Sequence, residues 1–460
     1  MSLLQKRLLE QRMNQTDQNQ AAVPKSETYA RKQMWQQVKE AVLKRVAETV
    51  SPEEIEQLPA SEQEKYLADQ IRIIMDTVMK ELKYNPARAE YHRLISELVS
   101  EVNGYGPITP LLADPEINEI MVNGPDQVYV ERLGQIELTD IVFKDNSHVM
   151  HVIEKIVAPL GKRIDEASPM VDARLPDGSR INATIPPVAI DGPVLTIRKF
   201  ATKALGMSDL IRAGSLTTNM AIFLKACVEG RLNIIVAGGT SSGKTTSLNV
   251  LTAFIPNHER VITIEDAAEL QLQQDHVIRM EARPANIEGK GRIGIRELVI
   301  NSLRMRPDRL IVGEVRGAET LDMMQAMNTG HEGSMTTAHA NSPRDLLSRM
   351  ETMVLMAGID MPVKVIREQI ITAIDLIVFQ SRYKDGTRKI TRITEVVGME
   401  GDIVTLQDIF LFEQKGLGDK GKILGVFRPS GVLPKFMPAL EAKGVNIPIK
   451  VFSETGGEVN

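Results

Sequence analysis

The sequence predicts an α/β fold of more than one domain, with a parallel-sheet domain in its C-terminal half. Three observations carry this. A short apolar run, Asn233-Ile-Ile-Val-Ala237, passes straight into the glycine-rich string Gly238-Gly-Thr-Ser-Ser-Gly-Lys-Thr245 and then into a helical stretch. Two further apolar runs, Arg260-Val-Ile-Thr-Ile264 and Arg309-Leu-Ile-Val312, each lead into carboxylates. Finally, 460 residues at 43% hydrophobic content are enough for more than one core.

Five segments follow along the chain. Residues 1–60 are Gln-rich and polar, with nine Lys/Arg against four Asp/Glu in the first 45, and are expected to form a mobile, partly helical arm. Residues 61–113 form a helical segment. Leu67, Ile71, Ile74, Val78 and Leu82 recur at three- and four-residue spacing, and Leu94, Ile95, Leu98 and Val99 resume the pattern after Pro86. Residues 114–200 read as a small α/β domain, with strands around the Asn123-Gly-Pro125 turn, a helix over 146–159 and turns at Pro176-Asp-Gly-Ser179 and Ile190-Asp-Gly-Pro193. A connector, 201–214, precedes a strongly alternating strand–helix domain over 215–455.

Composition narrows the function classes. Net charge is -5, from 60 acidic and 55 basic residues, which gives no electrostatic footprint for nucleic acid. The one cysteine, Cys227, excludes an internal disulfide framework and any multi-cysteine zinc site, and reads as a small core residue. No run approaches the roughly 18 apolar residues that cross a bilayer. A cytoplasmic protein that reaches a membrane only through partners is expected.

The string at 238–245 matches G-x-x-x-x-G-K-[ST] in the strand–loop–helix context that gives it meaning. Gly238, Gly239, Thr240, Ser241, Ser242, Gly243, Lys244, Thr245 and Thr246 are therefore expected to cradle ATP. The glycines let backbone N–H groups turn towards phosphate at a helix N-terminus. Lys244 neutralises the β/γ oxygens and the Thr245 hydroxyl holds Mg²⁺.

The strand-end carboxylates sit where a nucleotide crevice opens in a parallel sheet. Glu314, in Gly313-Glu314, is expected to hold Mg²⁺ through a water, which leaves Glu265 to orient or deprotonate the attacking water. Asp266 and Glu269 serve equally well as helix-capping carboxylates. His331 and His339 flank a short β-like run, where a pair beside the γ-phosphate could sense it by hydrogen bonding. Each also fits a structural role, and their spacing without a third ligand argues against a metal pair.

Together, Gly238-Gly-Thr-Ser-Ser-Gly-Lys-Thr-Thr246, Ile262-Thr-Ile-Glu-Asp266, Leu310-Ile-Val-Gly-Glu-Val-Arg-Gly317 and Gly330-His-Glu-Gly-Ser-Met-Thr-Thr-Ala-His339 resemble the Walker A, Asp box, Walker B and His box of secretion ATPases. The block Lys162-Arg-Ile-Asp-Glu-Ala-Ser-Pro-Met-Val-Asp-Ala-Arg-Leu-Pro-Asp-Gly-Ser-Arg-Ile-Asn182, with Leu195-Thr-Ile-Arg-Lys-Phe200, resembles the CpaF/TadA-type ATPase of tight-adherence (Tad/Flp) pili. The likeness covers roughly residues 85–455. It implies a RecA-like C-terminal domain, a hexameric ring docked on an inner-membrane pilus platform, and pilin subunits pushed from the bilayer. It also implies that arginines of the smaller domain close over the γ-phosphate, with Arg163, Arg174, Arg180 and Arg198 as matching positions and Arg198 favoured. Each taken singly fits a structural ion pair as well. The four-cysteine zinc insert of many type II secretion motors is ruled out. A type IV secretion ATPase, a DNA-translocating ring and a non-hydrolysing nucleotide-binding scaffold are the competing readings; the charge balance weighs against the second, and intact Lys244, Glu265 and Glu314 against the third.

Overall fold

A computed structural model describes residues 25–51, 58–132, 134–200, 205–283, 285, 290–418 and 421–453. It divides into two compact units: one holds the chain up to residue 199 except 133–135 and 176–178, and the other holds those two stretches and residues 200–460.

The first unit opens with three helices, α1 (Lys25–Thr49), α2 (Ala60–Glu81) and α3 (Arg88–Asn103). Val38, Val42, Val46 and Val50 recur every fourth residue and are all buried. They form one stripe that packs with Leu67, Ile71, Met75 and Val78 of α2 and Leu94 and Leu98 of α3. Part of the stretch expected as a mobile, partly helical arm is thus a packed helix. Its high polar content hides four valines in register. Residues 1–24 and 52–57 of that stretch lie outside the described residues.

The same unit continues into a six-stranded sheet, in the order β3-β2-β1-β6-β5-β4. The strands are β1 (Ile117–Asn123), β2 (Val128–Arg132), β3 (Gln135–Leu138), β4 (Met170–Arg174), β5 (Arg180–Thr184) and β6 (Val194–Arg198). β1 pairs antiparallel with β2 and β6, and β5 with β4 and β6. Helix α4 (Asn146–Val157), capped by the Asp145 side chain, buries Val149, Val152, Ile153 and Ile156 against the sheet.

The second unit is built on a nine-stranded sheet ordered β15-β14-β13-β12-β7-β11-β10-β8-β9. Its parallel part comprises β7 (Ile234–Gly238), β8 (Val261–Glu265), β9 (Val277–Glu281), β10 (Arg309–Val315), β11 (Met335–His339) and β12 (Leu376–Arg382). The strands β13 (Arg388–Glu400), β14 (Ile403–Leu417) and β15 (Ile423–Pro429) extend it antiparallel beyond β12. Helices α5 (Thr218–Glu229), α6 (Lys244–Thr252), α7 (Ile295–Ser302), α8 (Glu319–Asn328), α9 (Pro343–Leu355) and α10 (Val363–Ala373) cover it. β7 is apolar throughout because both its faces are covered. Ile234 and Val236 enter one core, and Ile235 and Ala237 enter the other. The expected connector at 201–214 contains a short helix, Met207–Arg212, whose Leu210 belongs to the first of these cores. Among the described residues, no helix is long and apolar enough to cross a membrane.

One ion pair locks the N-terminal ends of the parallel strands. Arg309, fully buried, donates from Nε and Nη2 to the two oxygens of Glu259 at 2.6 and 2.9 Å, and from Nη1 to the Val228 carbonyl at 2.7 Å. Burial pushes the Glu259 carboxyl up, but the Arg309 hydrogen bonds and charge, with Arg231 behind them, outweigh it and hold the group below the usual range. Its stabilisation is therefore complete above the ordinary carboxylate value and is lost as pH falls through the lowered folded-state value. Glu259→Leu alone strands a buried guanidinium and is expected to cost about 3–5 kcal/mol, read as a urea midpoint of the whole chain. Adding Arg309→Met should recover part of the loss. A single variant as stable as wild type at neutral pH would remove this pair from the account of the fold.

Candidate functional site

β7 ends at Gly238, where a Cβ would lie 2.2 Å from the Gln380 carbonyl oxygen and 2.7 Å from Ser242 Oγ. Only glycine fits between the loop and β12. The chain then turns through Ser241, at φ 55°, and Gly243, at φ 95°, before α6 begins on Lys244. Ser242 Oγ donates to the Gly239 carbonyl at 2.9 Å. The strands beyond β7 brace the loop and the helix after it: Arg388 Nε of β13 donates to the Ser241 carbonyl at 3.0 Å, and Ser247 Oγ of α6 donates to Gln380 Oε1 of β12 at 2.7 Å. A loop held this way at the start of a helix is an anion site, since backbone N–H groups and the helix dipole both favour negative charge there.

Lys244, 8% exposed, folds back on its own loop. Its Nζ donates to the Gly239 carbonyl at 2.9 Å and lies 3.3 Å from His339 Nδ1. An ammonium only donates, so Nδ1 is the acceptor, and the proton of the neutral ring sits on Nε2. Burial lowers the His339 value; the Glu314 carboxylate opposes this, while Lys244, Arg316 and Arg349 add to it. His339 ends β11 level with Gly238, and its Nε2 lies 3.1 Å from Glu314 Oε1 on the next strand, β10.

Glu314 Oε2 accepts from Arg316 Nε at 2.9 Å and Nη2 at 2.6 Å. Its other oxygen is buried and accepts no hydrogen bond, although His339 Nε2 lies 3.1 Å away. One strand further on, Glu265 ends β8 at 2% exposure. It packs on Gly313, where a Cβ would come within 2.9 Å of Glu265 Cγ. Oε1 accepts from the Glu269 and Leu270 backbone N–H groups at 2.8 and 3.0 Å, while Oε2 is buried without a hydrogen-bond partner. Burial pushes this carboxyl up against the pull of those two N–H groups. A carboxylate raised in this way is a stronger base than an exposed one. Asp266 lies 3.8 Å from Arg316 Nη1, and Glu269 acts on Glu265 through its backbone N–H.

Lys244, on the helix that follows the β7 loop, and His339, Glu314 and Glu265, at the ends of β11, β10 and β8, therefore follow one another in strand order. At about 4.8 Å per strand the row spans roughly 14 Å. Thr245 is half-buried in the first turn of α6. Thr245 and the orphaned oxygen of Glu314 suit a magnesium ion bound by a hydroxyl and a water-bridged carboxylate. No group of three or more His, Cys, Asp or Glu among the described residues could hold a metal, so phosphate oxygens and waters would complete the shell, as Mg²⁺ usually requires.

His331 does not join this row. Gly333 and Ser334, just after it, donate their N–H groups to Asn233 at the start of β7, and Met335 pairs with Ile234. That is the far end of the strand from the loop, roughly 13 Å away at 3.3 Å per residue.

The arginines belong to the first unit. Arg174 pairs in register with Arg180, Arg180 with Arg198, and Arg198 with Glu119. Three guanidinium-bearing positions thus lie side by side across β4, β5 and β6, and Arg198 is exposed. Arg163 stands outside this row, paired with Asp165 at 2.5 Å. Arg316, Gln380 and Arg388 have no role in the sequence reading. Only Arg316 had a visible signal, since it follows Glu314 by two residues at a strand end and so shares its side.

A family model described as Type II/IV secretion system protein matches residues 101–394. A Mycobacterium tuberculosis protein named for conjugal transfer is 35% identical over 312 residues, covering 66% of this chain and 88% of its own length. The type IV secretion system protein VirB11 of Bartonella henselae is 32% identical over 343 residues, covering 66% of this chain and 95% of its own. Among solved structures, the VirB11 ATPase of the Brucella suis type IV secretion system is 30% identical, with 62% of this chain and 94% of that one covered and a TM-score of 0.34. A family match over more than half the chain decides the matter: this chain belongs to the Type II/IV secretion system proteins and is a P-loop ATPase.

Proposed function

We propose that the chain is a MgATP-hydrolysing motor, working as a homohexameric ring on the cytoplasmic side of an inner membrane and docked there on a membrane-embedded partner. The observation that carries this is the unbroken row from Lys244 through His339 and Glu314 to Glu265 over four adjacent parallel strand ends. In this reading residues 238–246 cradle the phosphates, Lys244 neutralises the β/γ charge, and Thr245 with Glu314 holds Mg²⁺. Glu265 activates the attacking water, His339 reports on the terminal phosphate, and Arg198, Arg174 and Arg180 supply positive charge on domain closure. His331 takes no part.

The names of the relatives, conjugal transfer and type IV secretion, favour a type IV secretion motor over the Tad pilus motor expected from the sequence. One observation keeps the pilus reading as the second: the arginine-bearing block at 162–182 and 195–200, which is what resembles the CpaF/TadA type. In that case the ring pushes pilin subunits through a pilus platform. A neighbouring gene set of channel components or of small prepilins separates the two.

Lys244→Ala is expected to abolish ATP turnover; a purified variant that keeps more than about a tenth of wild-type turnover places the site elsewhere. Glu265→Gln should leave MgATP binding nearly intact while stopping hydrolysis, whereas Glu314→Gln should also weaken the Mg²⁺ dependence of binding. A fluorescent ATP analogue titrated with and without Mg²⁺ tests this, and swapped phenotypes would reverse the two roles. For the arginines, inactive Lys244→Ala protomers are mixed with inactive Arg198→Ala protomers after confirming subunit exchange. If Arg198 serves its own chain, every mixed site lacks one group and activity stays at background, which is the expected result. Recovery on mixing would mean that Arg198 reaches a neighbour's phosphate.

A further inference from the structure

Among the described residues Arg316 hydrogen-bonds the carboxylate proposed for the metal, while His339 Nε2 lies 3.1 Å from the other oxygen of that carboxylate, and the Arg316 bonding is unusual. A guanidinium facing a carboxylate commonly sets two parallel N–H groups against two oxygens. Here Nε and Nη2 both donate to Oε2 of Glu314, at 2.9 and 2.6 Å. The third nitrogen, Nη1, lies 3.8 Å from Asp266 Oδ2, at the end of the neighbouring strand β8. One planar group therefore spans two strand ends and fills the acceptor capacity of one Glu314 oxygen. The other oxygen is left buried and without a hydrogen bond. Arg316, with Gly239, Thr240 and His339, also lines a cavity of about 470 Å³ beside the phosphate loop, so this clasp stands at the wall of the site.

We propose that Arg316 is a positioning residue: it fixes the Glu314 carboxylate in one rotamer and reserves Oε1 for a water of the magnesium shell. It does so without touching the nucleotide. The proposal rests on the nucleotide-site reading given above. Arginine suits the task because a rigid fork can hold Glu314 by two N–H groups while a third faces Asp266. A lysine at the same position would keep the charge but not the geometry. Asp266 gains a role here, as the outer anchor that keeps the guanidinium from swinging away from β8.

The test titrates Mg²⁺ into the full-length chain with a fluorescent ATP analogue, alongside the same binding in EDTA. Arg316→Ala is expected to raise the Mg²⁺ half-saturation about tenfold, the usual loss when a partner of a metal ligand is removed, with metal-free binding unchanged. Arg316→Lys should shift it in the same direction by less, and Asp266→Asn by less again. An unchanged half-saturation in Arg316→Ala overturns the proposal. So does an equal loss of binding with and without metal, which would put Arg316 on the phosphates. Should the alanine variant lose its circular dichroism signature, Arg316→Lys decides alone, and an unchanged half-saturation there sinks the idea. Lys244→Ala runs in parallel and should bind poorly throughout. Wild-type binding by that variant would break the nucleotide-site reading itself, whatever Arg316 does.

Discussion

A parallel sheet has to be covered on both faces, and that constraint organises the catalytic unit. With helices above and below, no side chain in the middle of β7, β8, β10 or β11 reaches solvent, and polar chemistry is driven to the strand ends. The two ends are used differently. At one, a buried Arg309–Glu259 pair and the Asn233 amide tie strands together. At the other lie Lys244, His339, Glu314 and Glu265, and two of their carboxylate oxygens are buried without hydrogen bonds. Buried acceptors left unmatched are costly in a finished fold. Here they coincide with the places where the proposed function puts a cation and a reacting water.

How much of this could be read from residues alone depended on whether the chemistry was local. The phosphate loop was legible because strand, loop and helix are contiguous, and the carboxylates of β8 and β10 because each ends an apolar run. The histidines misled by half. A turn at 332–333 delivers the chain to the start of β11, so the whole strand Met335–His339 separates His331 from His339. His339 pairs level with Gly238, and His331 belongs to the opposite end. The packing of the helix at 25–49 was hidden for the converse reason. Its valines are few among many polar residues, but their four-residue spacing gives a buried stripe that average composition cannot report. Arg388 and Gln380 were out of reach, because their place beside the loop comes from strand order and not from sequence distance.

The first unit raises a separate electrostatic question. Arg174, Arg180 and Arg198 sit on neighbouring strands in direct register, an arrangement that like charges oppose. Glu119 continues the same row beside Arg198, and Glu131 stands beyond it. Burial raises the Glu119 carboxyl, Arg198 pulls it back down, and Glu131 raises it again. The row therefore runs from positive to negative across the sheet. Its basic end lies on β4, β5 and β6, and its acidic end on β1 and β2.

Gly238 carries a further consequence. The first glycine of a phosphate-binding motif is ordinarily credited to the nucleotide. In this chain it is also demanded by a neighbouring strand, because the Gln380 carbonyl occupies the space a side chain would need. Two selections act on one position, and only one of them concerns ATP. A descendant of this protein that had given up hydrolysis, losing Lys244 or Glu265 to drift, would still be held to glycine at 238 by the packing of β12. Persistence of that glycine among relatives is thus a record of the sheet, while the lysine six residues later is a record of the motor.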